Sequence, residues 1–289
     1  MLIDPSNSDQ IAELIEQVVP LNAVEPMGIY AFSTEHPAAD LARAVEYEVF
    51  TDVFNLTDQA MEAAYSPYES RSFFFCVIDH RRRRHAGSIR VIIPGREGEG
   101  SQTLNDLSRI WQVSPSDLTF NGVRFPIEHC WDVATLAVAP QYRGRAAVFG
   151  LVSLSLYQAL VRTGDACGIH YGVALLDEPI LHMSRRVFRG PFSVFDGLGP
   201  KAHLGSSATW PVYSDVLGWG AKLKKTDPSM FDLMFYGRGL EATMRPLDLE
   251  HAAAMAKKAT ETLRAEKPPV IDLDALNRRE REPSITLRS

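Results

Sequence analysis

The chain has 289 residues, enough at ~150 residues per domain for one large domain or two modest ones. It is 45% hydrophobic and 23% charged, with 19 Gly and 18 Pro, which excludes a collagenous, wholly disordered or disulfide-scaffold chain. Its 30 Lys and Arg against 36 Asp and Glu leave a net charge of -6, so the molecule as a whole should repel nucleic acid and anionic membrane.

Cys76, Cys130 and Cys167 stand apart. None forms a C-x-x-C pair or lies near a His at zinc spacing, so no metal site is expected and a reducing cytoplasm is. The N-terminus MLIDPSNSDQ has neither a basic nor an apolar leader region, so no signal peptide is read. The longest uncharged run lies between Arg145 and Arg162 and contains Ser153, Ser155 and Gln158. It is shorter than the ~20 apolar residues of a membrane span and reads as a buried helix.

Residues 8–19 have the pattern of a short amphipathic helix ended by Pro20, and 28–33 that of a short strand. Residues 38–54 place Leu41, Val45, Val49 and Phe50 on one helical face. Two strand-like runs follow, 72–79 and 86–93, joined by the polar HRRRRH in a hairpin pattern. Residues 94–129 read as an irregular insertion with a helix or two, 130–139 as a strand ended by Pro140, and 144–162 as a long helix. A buried strand at 168–176 and a helix at 179–189, stopped by Gly190-Pro191, come next. Short Gly- and Pro-punctuated segments then run to about residue 220. An Ala-rich helix over 248–266 takes Asp248 as its N-cap, and the last twenty or so residues read as a mobile tail. This order indicates an α/β fold, a mixed sheet with helices on both sides. It divides into an N-terminal helix and linker (1–27), a central domain (28–220) and a C-terminal extension (221–289).

The most informative stretch is Leu136-Ala-Val-Ala-Pro-Gln-Tyr-Arg-Gly-Arg-Ala-Ala147, at a strand-to-helix junction. Pro140 stops the strand, and Gly144 opens the helix where a side chain would crowd a ligand. The first N–H groups of a helix have no internal partner and sit at its positive dipole end. A pyrophosphate can therefore accept from the amides of residues 143–147, with Arg143 and Arg145 adding charge and Ala146 keeping the surface low.

This junction resembles the signature of the GNAT superfamily of acyl-CoA-dependent N-acyltransferases, Gln/Arg-x-x-Gly-x-Gly/Ala, met here by Gln141 to Ala146. Other stretches are similar to one branch, the acyl-homoserine lactone (autoinducer) synthases and the related long-chain N-acyl amino acid synthases. They are Tyr47-Glu-Val-Phe50, Tyr65-Ser-Pro-Tyr-Glu69, Ala86-Gly-Ser-Ile-Arg90 and Trp131-Asp132-Val-Ala-Thr135-Leu-Ala-Val138. Arg185 to Gly190, followed by Gly197-x-Gly-Pro200, completes the set, and the likeness spans roughly residues 30–215. Glu46 and Thr135 stand where that branch carries Arg, and Ser66 and Glu69 where it carries Asp. The resemblance thus implies a splayed GNAT sheet and N-acyl transfer in the broad sense rather than lactone synthesis.

An acceptor amine is an ammonium ion near neutral pH and must lose a proton, so a base is needed. The resemblance puts Asp132 in that role, where desolvation would raise its pKa; an Asp bound to neighbouring backbone or to Arg90 is the competing reading. Glu128 and His129, just ahead of the strand, are alternate bases. The resemblance also implies that strands 130–139 and 168–176 splay apart. That leaves the N–H of Val138 to hold the oxyanion, and Leu136, Ala137 and Val138 to bind the pantetheine arm. Phe50, Arg90, Trp131, Thr135 and His170 are the candidate substrate contacts. For His170 and Tyr171, and for Phe50, Phe73 and Phe75 as acyl-tunnel walls, a plain core role is the alternative.

The Arg81–Arg84 run reads as a solvated hairpin turn rather than a nucleic-acid patch. Arg185, Arg186, Arg189 and Lys201 form either a solvated helix face or a basic rim that steers an acidic acyl carrier protein. The expected protein moves a medium or long acyl group from acyl-CoA or an acyl-phosphopantetheine carrier to a small amine such as an amino acid. No tightly bound cofactor is expected. An acetyl-CoA-dependent small-molecule acetyltransferase and a catalytically silent thioester-binding regulatory module are the alternatives.

Overall fold

The structure, a computed structural model, describes residues 7–143 and 150–265. α1 (Ser8–Val18), β1 (Met27–Ser33), α2 (Ala39–Phe54) and α3 (Asp58–Tyr65) lead into the hairpin of β2 (Ser72–Asp79) and β3 (Arg84–Ile92). The insertion holds α4 (Gln102–Asp106), a π-turn over Leu107–Trp111, and a small hairpin of β4 (Thr119–Phe120) and β5 (Val123–Arg124). β6 (Cys130–Val138), α5 (Leu151–Cys167), β7 (Tyr171–Asp177) and α6 (Glu178–Val187) form the centre. β8 (Ser193–Val194), β9 (Lys201–His203), β10 (Ser206–Asp215), α7 (Val216–Thr226), α8 (Pro228–Phe231), β11 (Met244–Arg245) and α9 (Leu249–Ala265) follow. Among the described residues nine strands make one mixed sheet, in the order β11-β1-β2-β3-β6-β7-β10-β8, with β9 also paired to β10.

Both faces of the sheet are covered, which is why β2 reads as an unbroken apolar run. Successive strand residues point to opposite faces. Phe74, Cys76 and Ile78 meet Ile11, Ile15, Leu41 and Ala42 of α1 and α2. Phe73, Phe75 and Val77 join the core built with Leu156 of α5 and Ala252 and Ala256 of α9. The helix ends follow local chemistry: Asn7 Oδ1 caps α1 by accepting from Gln10 N at 3.2 Å, and Asp248 caps α9 by accepting from His251 N at 3.0 Å.

β10 is the element that the expected punctuated segments concealed, because Pro211 lies inside it. A proline lacks the N–H a ladder needs. Here Pro211 O accepts from Phe195 N at 3.4 Å, so the missing N–H also faces the β8 side, where β8 pairs only with Val212 and Tyr213 and β9 only with Ser206 and Thr209. The β7 side of β10 runs unbroken from Thr209 to Asp215. No ladder bond is lost.

The long helix expected over 144–162 is described from Leu151 and continues to Cys167, closed by Gly168 at φ 72°. Residues 144–149 and the tail beyond 265 lie outside the described residues. The boundary expected at residue 220 falls inside α7, and Trp219, Leu223 and Met244 share the core of α5. β11 extends the sheet edge in parallel to β1. No helix among the described residues is long and apolar enough to cross a membrane.

Candidate active site

β6 and β7 run parallel and pair only where Cys130–Asp132 meets Tyr171–Val173. Past that point they part, while β7 continues to Asp177 against β10. This opens the expected split. On its other edge β6 is laddered to β3 with a bulge, Val133 and Thr135 lying opposite the consecutive Val91 and Arg90. The extra residue, Ala134, re-phases the strand, so Asp132 and Thr135 both leave the face opposite Trp131 and Val133.

Ala139 N donates to Ala86 O at 3.0 Å, so Ala139 and Ala137 turn their main chain to β3 and Val138 turns its own toward the split. Arg143 Nε donates to Val138 O at 2.6 Å, in keeping with that direction. The Val138 N–H is therefore aimed where an oxyanion donor was expected, with Leu136 on the same edge. Ala137 is a correction: its main chain belongs to the β3 ladder opposite Ser88, and its side chain packs on Val45 and Val49 of α2. Arg143 is exposed, with Nε engaged by Val138. Gly144, Arg145, Ala146 and Ala147, the rest of the expected pyrophosphate seat, lie outside the described residues.

Asp132 departs most from expectation. Its buried carboxylate accepts from Ser101 Oγ at 2.7 Å, Thr103 N at 2.8 Å and Thr103 Oγ1 at 2.6 Å. Ser101 is the N-cap of α4. Burial pushes the Asp132 pKa up to about 6, with those hydrogen bonds pulling the other way. Along a strand rising ~3.3 Å per residue, Asp132 lies roughly 20 Å from Val138. A carboxylate so placed does not meet the carbon whose oxygen Val138 would hold; it anchors α4.

Two further corrections follow from the same register. Glu128 and His129 sit exposed on the 3-10 turn Ile127–His129, at the closed end of β6. His170 immediately precedes β7 at that closed end, with Nδ1 3.9 Å from Asp165 and its carbonyl accepting from Val216 N at 2.9 Å. None reaches Val138.

The substrate candidates that do converge lie on the α2 side. Buried Arg90 donates through Nε and Nη2 to Glu46 at 3.1 and 2.7 Å, and through Nη1 to Glu69 at 2.6 Å. Thr135 Oγ1 also donates to Glu46. Arg43 donates to Glu69 at 2.9 Å and to Asp40 at 2.5 Å. Asp40, Arg43, Glu46, Glu69 and Arg90 border, with Tyr47 and Tyr65, an open cleft of about 330 Å³, while Thr135 is buried behind Glu46. Phe50 stands beside it, its ring 6.1 Å from that of Tyr65 and its side chain against the Val45–Ala137 cluster. Burial works against the charge of Glu69, but Arg90 and Arg43 outweigh it and hold the carboxyl below the usual range. Glu46 and Glu69 drew notice in the sequence only as departures. A legible signal was the polar stripe of α2, Asp40, Arg43 and Tyr47, recurring every three or four residues.

On the opposite face, at the closed end of the split, Trp131, Val133, Tyr157, Val161, Phe192 and Trp219 border a small apolar cavity of about 40 Å³. Trp131 packs edge-on against Phe73 at 5.2 Å, and Phe73 and Phe75 lie in the core. The arginine run forms the exposed β2–β3 turn, where Arg83 pairs with Glu16. Of the second basic group, Arg189 pairs with Asp227 at 3.1 Å and Lys201 donates to Ile110 O at 2.7 Å. Arg185 and Arg186 remain exposed on α6.

No family model and no curated protein matches the chain. Solved structures do. BjaI, a CoA-dependent acyl-homoserine lactone synthase described with SAM and isopentyl-CoA, is 16% identical over 80% of this chain and 99% of its own, with a TM-score of 0.51. FeeM, an N-acyl amino acid synthase from uncultured soil microbes, is 13% identical over 70% and 98%, with a TM-score of 0.47. The acyl-homoserine lactone synthase LasI is 14% identical over 74% and 96%, with a TM-score of 0.46. The likeness to BjaI establishes the fold, the splayed mixed sheet of the GNAT class.

Proposed function

We propose that the protein is an N-acyltransferase that moves an acyl group from a thioester, on CoA or a carrier protein, to a small amine. The observation that carries this reading is the β6–β7 split with the Val138 N–H turned into it; a charged cleft lies on the α2 side of the sheet and an apolar cavity at the closed end of the split. The cleft takes the amine and the cavity takes the acyl chain. The amine nitrogen attacks the thioester carbon, the C–N bond forms and the C–S bond breaks. Of the two protons the ammonium gives up, one ends on the leaving sulfur and one in solvent. The Val138 N–H holds the carbonyl oxygen while it is negative. The CoA dependence of BjaI supports CoA as donor.

Burying a methylene contributes ~0.8 kcal/mol, so an acyl chain that reaches the apolar lining gains with each methylene it buries there. The test is thiol release from acetyl-, octanoyl- and longer acyl-CoA, and from the same acyl groups on a carrier protein, with a panel of amines. Turnover that rises with chain length supports the reading. Acetyl-CoA as the best donor would make the protein an acetyltransferase, and CoA binding with no release from any donor would reduce it to a binding module.

A further inference from the structure

A side chain at the mouth of the split holds a group that the donor needs, given the reading above in which the split seats the thioester. Beyond Asp132 no strand pairs with this edge of β6. An extended pantetheine arm would therefore join it as an added strand does, its amides exchanging hydrogen bonds with main-chain groups. Val138 turns both its N–H and its carbonyl to that edge, because Ala139 is tied to β3. The carbonyl is already taken: Arg143 Nε donates to Val138 O at 2.6 Å, reaching back five residues. Arg143 N donates to Pro140 O at 3.1 Å, which fixes the main chain from which the side chain turns inward. Glu48 of α2 is a second mark of that inward turn. Its carboxyl is held below the usual range by a hydrogen bond with His85 first, and by the charges of Arg84 and Arg143 after it. The Arg143 side chain is nonetheless exposed. Its bond to a neutral carbonyl is weaker than the bidentate pair that a guanidinium forms with a phosphate.

We propose that Arg143 is a latch on the split, released by a phosphate of the donor. Without a phosphate the side chain caps Val138 O, and an incoming arm must displace it. Apparent affinity then falls in proportion to the fraction of molecules whose edge is open. A donor that carries phosphate, as CoA and a phosphopantetheine carrier both do, offers the guanidinium a stronger partner. That frees the carbonyl for a pantetheine N–H. The split thereby selects phosphate-bearing thioesters over acyl groups on simpler thiols.

The S-octanoyl thioesters of pantetheine, 4′-phosphopantetheine and CoA separate a latch from a plain phosphate contact. Binding is measured by calorimetry on the full chain without amine, for the parent and for Arg143→Ala. The variant should bind the pantetheine thioester about tenfold more tightly than the parent does, the scale of one charge-assisted hydrogen bond. It should bind the phosphopantetheine and CoA thioesters more weakly. Opposite signs on the two kinds of donor are what a phosphate contact alone, or a purely structural arginine, does not produce. A pantetheine thioester bound no more tightly by Arg143→Ala would overturn the latch while leaving the donor site intact. Absence of binding of all three thioesters, to the parent and to the variant alike, would overturn the split as donor site and the latch with it.

Discussion

Asp132 and Glu69 are carboxylates of one sheet region in opposite electrostatic settings. Asp132 is sealed from solvent and met only by neutral donors, two from Thr103 and one from Ser101, and burial pushes its pKa up to about 6. Glu69 is partly buried, yet Arg90 and Arg43 outweigh that burial and hold its carboxyl below the usual range. Neutral donors satisfy the lone pairs of an acid without replacing the solvation of its charge; a guanidinium does both. The closed end of β6 is thus built to accept a proton on mild acidification. The cleft against α2 is built to stay charged.

Removing the cation breaks this contrast most severely. Arg90→Met leaves buried Glu46 without its ion-pair partner and takes one of two cations from Glu69. Losing one partner of a buried pair costs about 3–5 kcal/mol, read as a lower urea midpoint at unchanged slope. Adding Glu46→Met should recover a large part of that loss, because the stranded charge leaves with it. If the double variant is no more stable than Arg90→Met, the two side chains are not an energetic unit.

The pH dependence is next in size and has opposite signs at the two acids. Folded Asp132 binds its proton more tightly than its ordinary value of 3.8 allows in the unfolded chain. Its contribution is therefore neutral below about pH 4, turns unfavourable as pH rises, and reaches about 3 kcal/mol above pH 6. Glu69 runs the other way: its favourable share is present above the ordinary 4.5 and is lost as pH falls toward its lowered folded value. In Asp132→Asn the decline in stability between about pH 4 and 6 should flatten, as seen by denaturation across that window. Turnover at neutral pH should stay within a few-fold of the parent. A loss of ~100-fold or more in a folded variant would return Asp132 to the role of base.

What the sequence revealed of these settings was what is local. Apolar runs, Pro140 and the cap at Asp248 specify elements through neighbours a few residues away, and the hairpin, α2 and β6 appear where those signals lie. The turn of Val138 toward the split follows from strand alternation once Ala139 is tied to β3. The fate of Asp132 depends instead on Ser101 and Thr103, contributed by a separate turn about thirty residues earlier. Glu128 and His170 flank the strands they were expected on, but β6–β7 pairing decides which end of the split is open. The Arg90 network joins α2, β3, β6 and the turn at Glu69, four segments with no common period.

A smaller effect separates the cavity from the cleft. A Cβ on Gly172 would meet Trp131 O, Ser214 Cβ and Val133 Cγ2 at 3.7–3.8 Å, ordinary contact distances. Since Gly172 lines the apolar cavity, a larger side chain should occupy that space. Gly172→Val takes the room of about two methylenes at ~0.8 kcal/mol each, so kcat/KM for the longest acyl donor should fall roughly tenfold. The acetyl donor should be unaffected. Equal losses on both would place the acyl chain elsewhere.

The mildest change asks what a single neutral donor does for the sealed acid. Thr103→Val removes the hydroxyl that donates to Asp132 Oδ1 at 2.6 Å and leaves Ser101 Oγ and the Thr103 amide in place. A hydrogen bond to an ionised group contributes about 1.5–3 kcal/mol and one between neutral groups about 1 kcal/mol. The hydroxyl favours the charged form, so its removal should raise the Asp132 pKa beyond about 6, followed by the carboxyl carbon shift in an NMR titration. The stability lost should accordingly be about 1 kcal/mol greater at pH 7.5 than at pH 5, because only at the higher pH is the acid ionised. Equal losses at the two pH values would mean that the hydroxyl serves the α4 turn alone and does nothing to oppose the burial that sets Asp132 apart from Glu69.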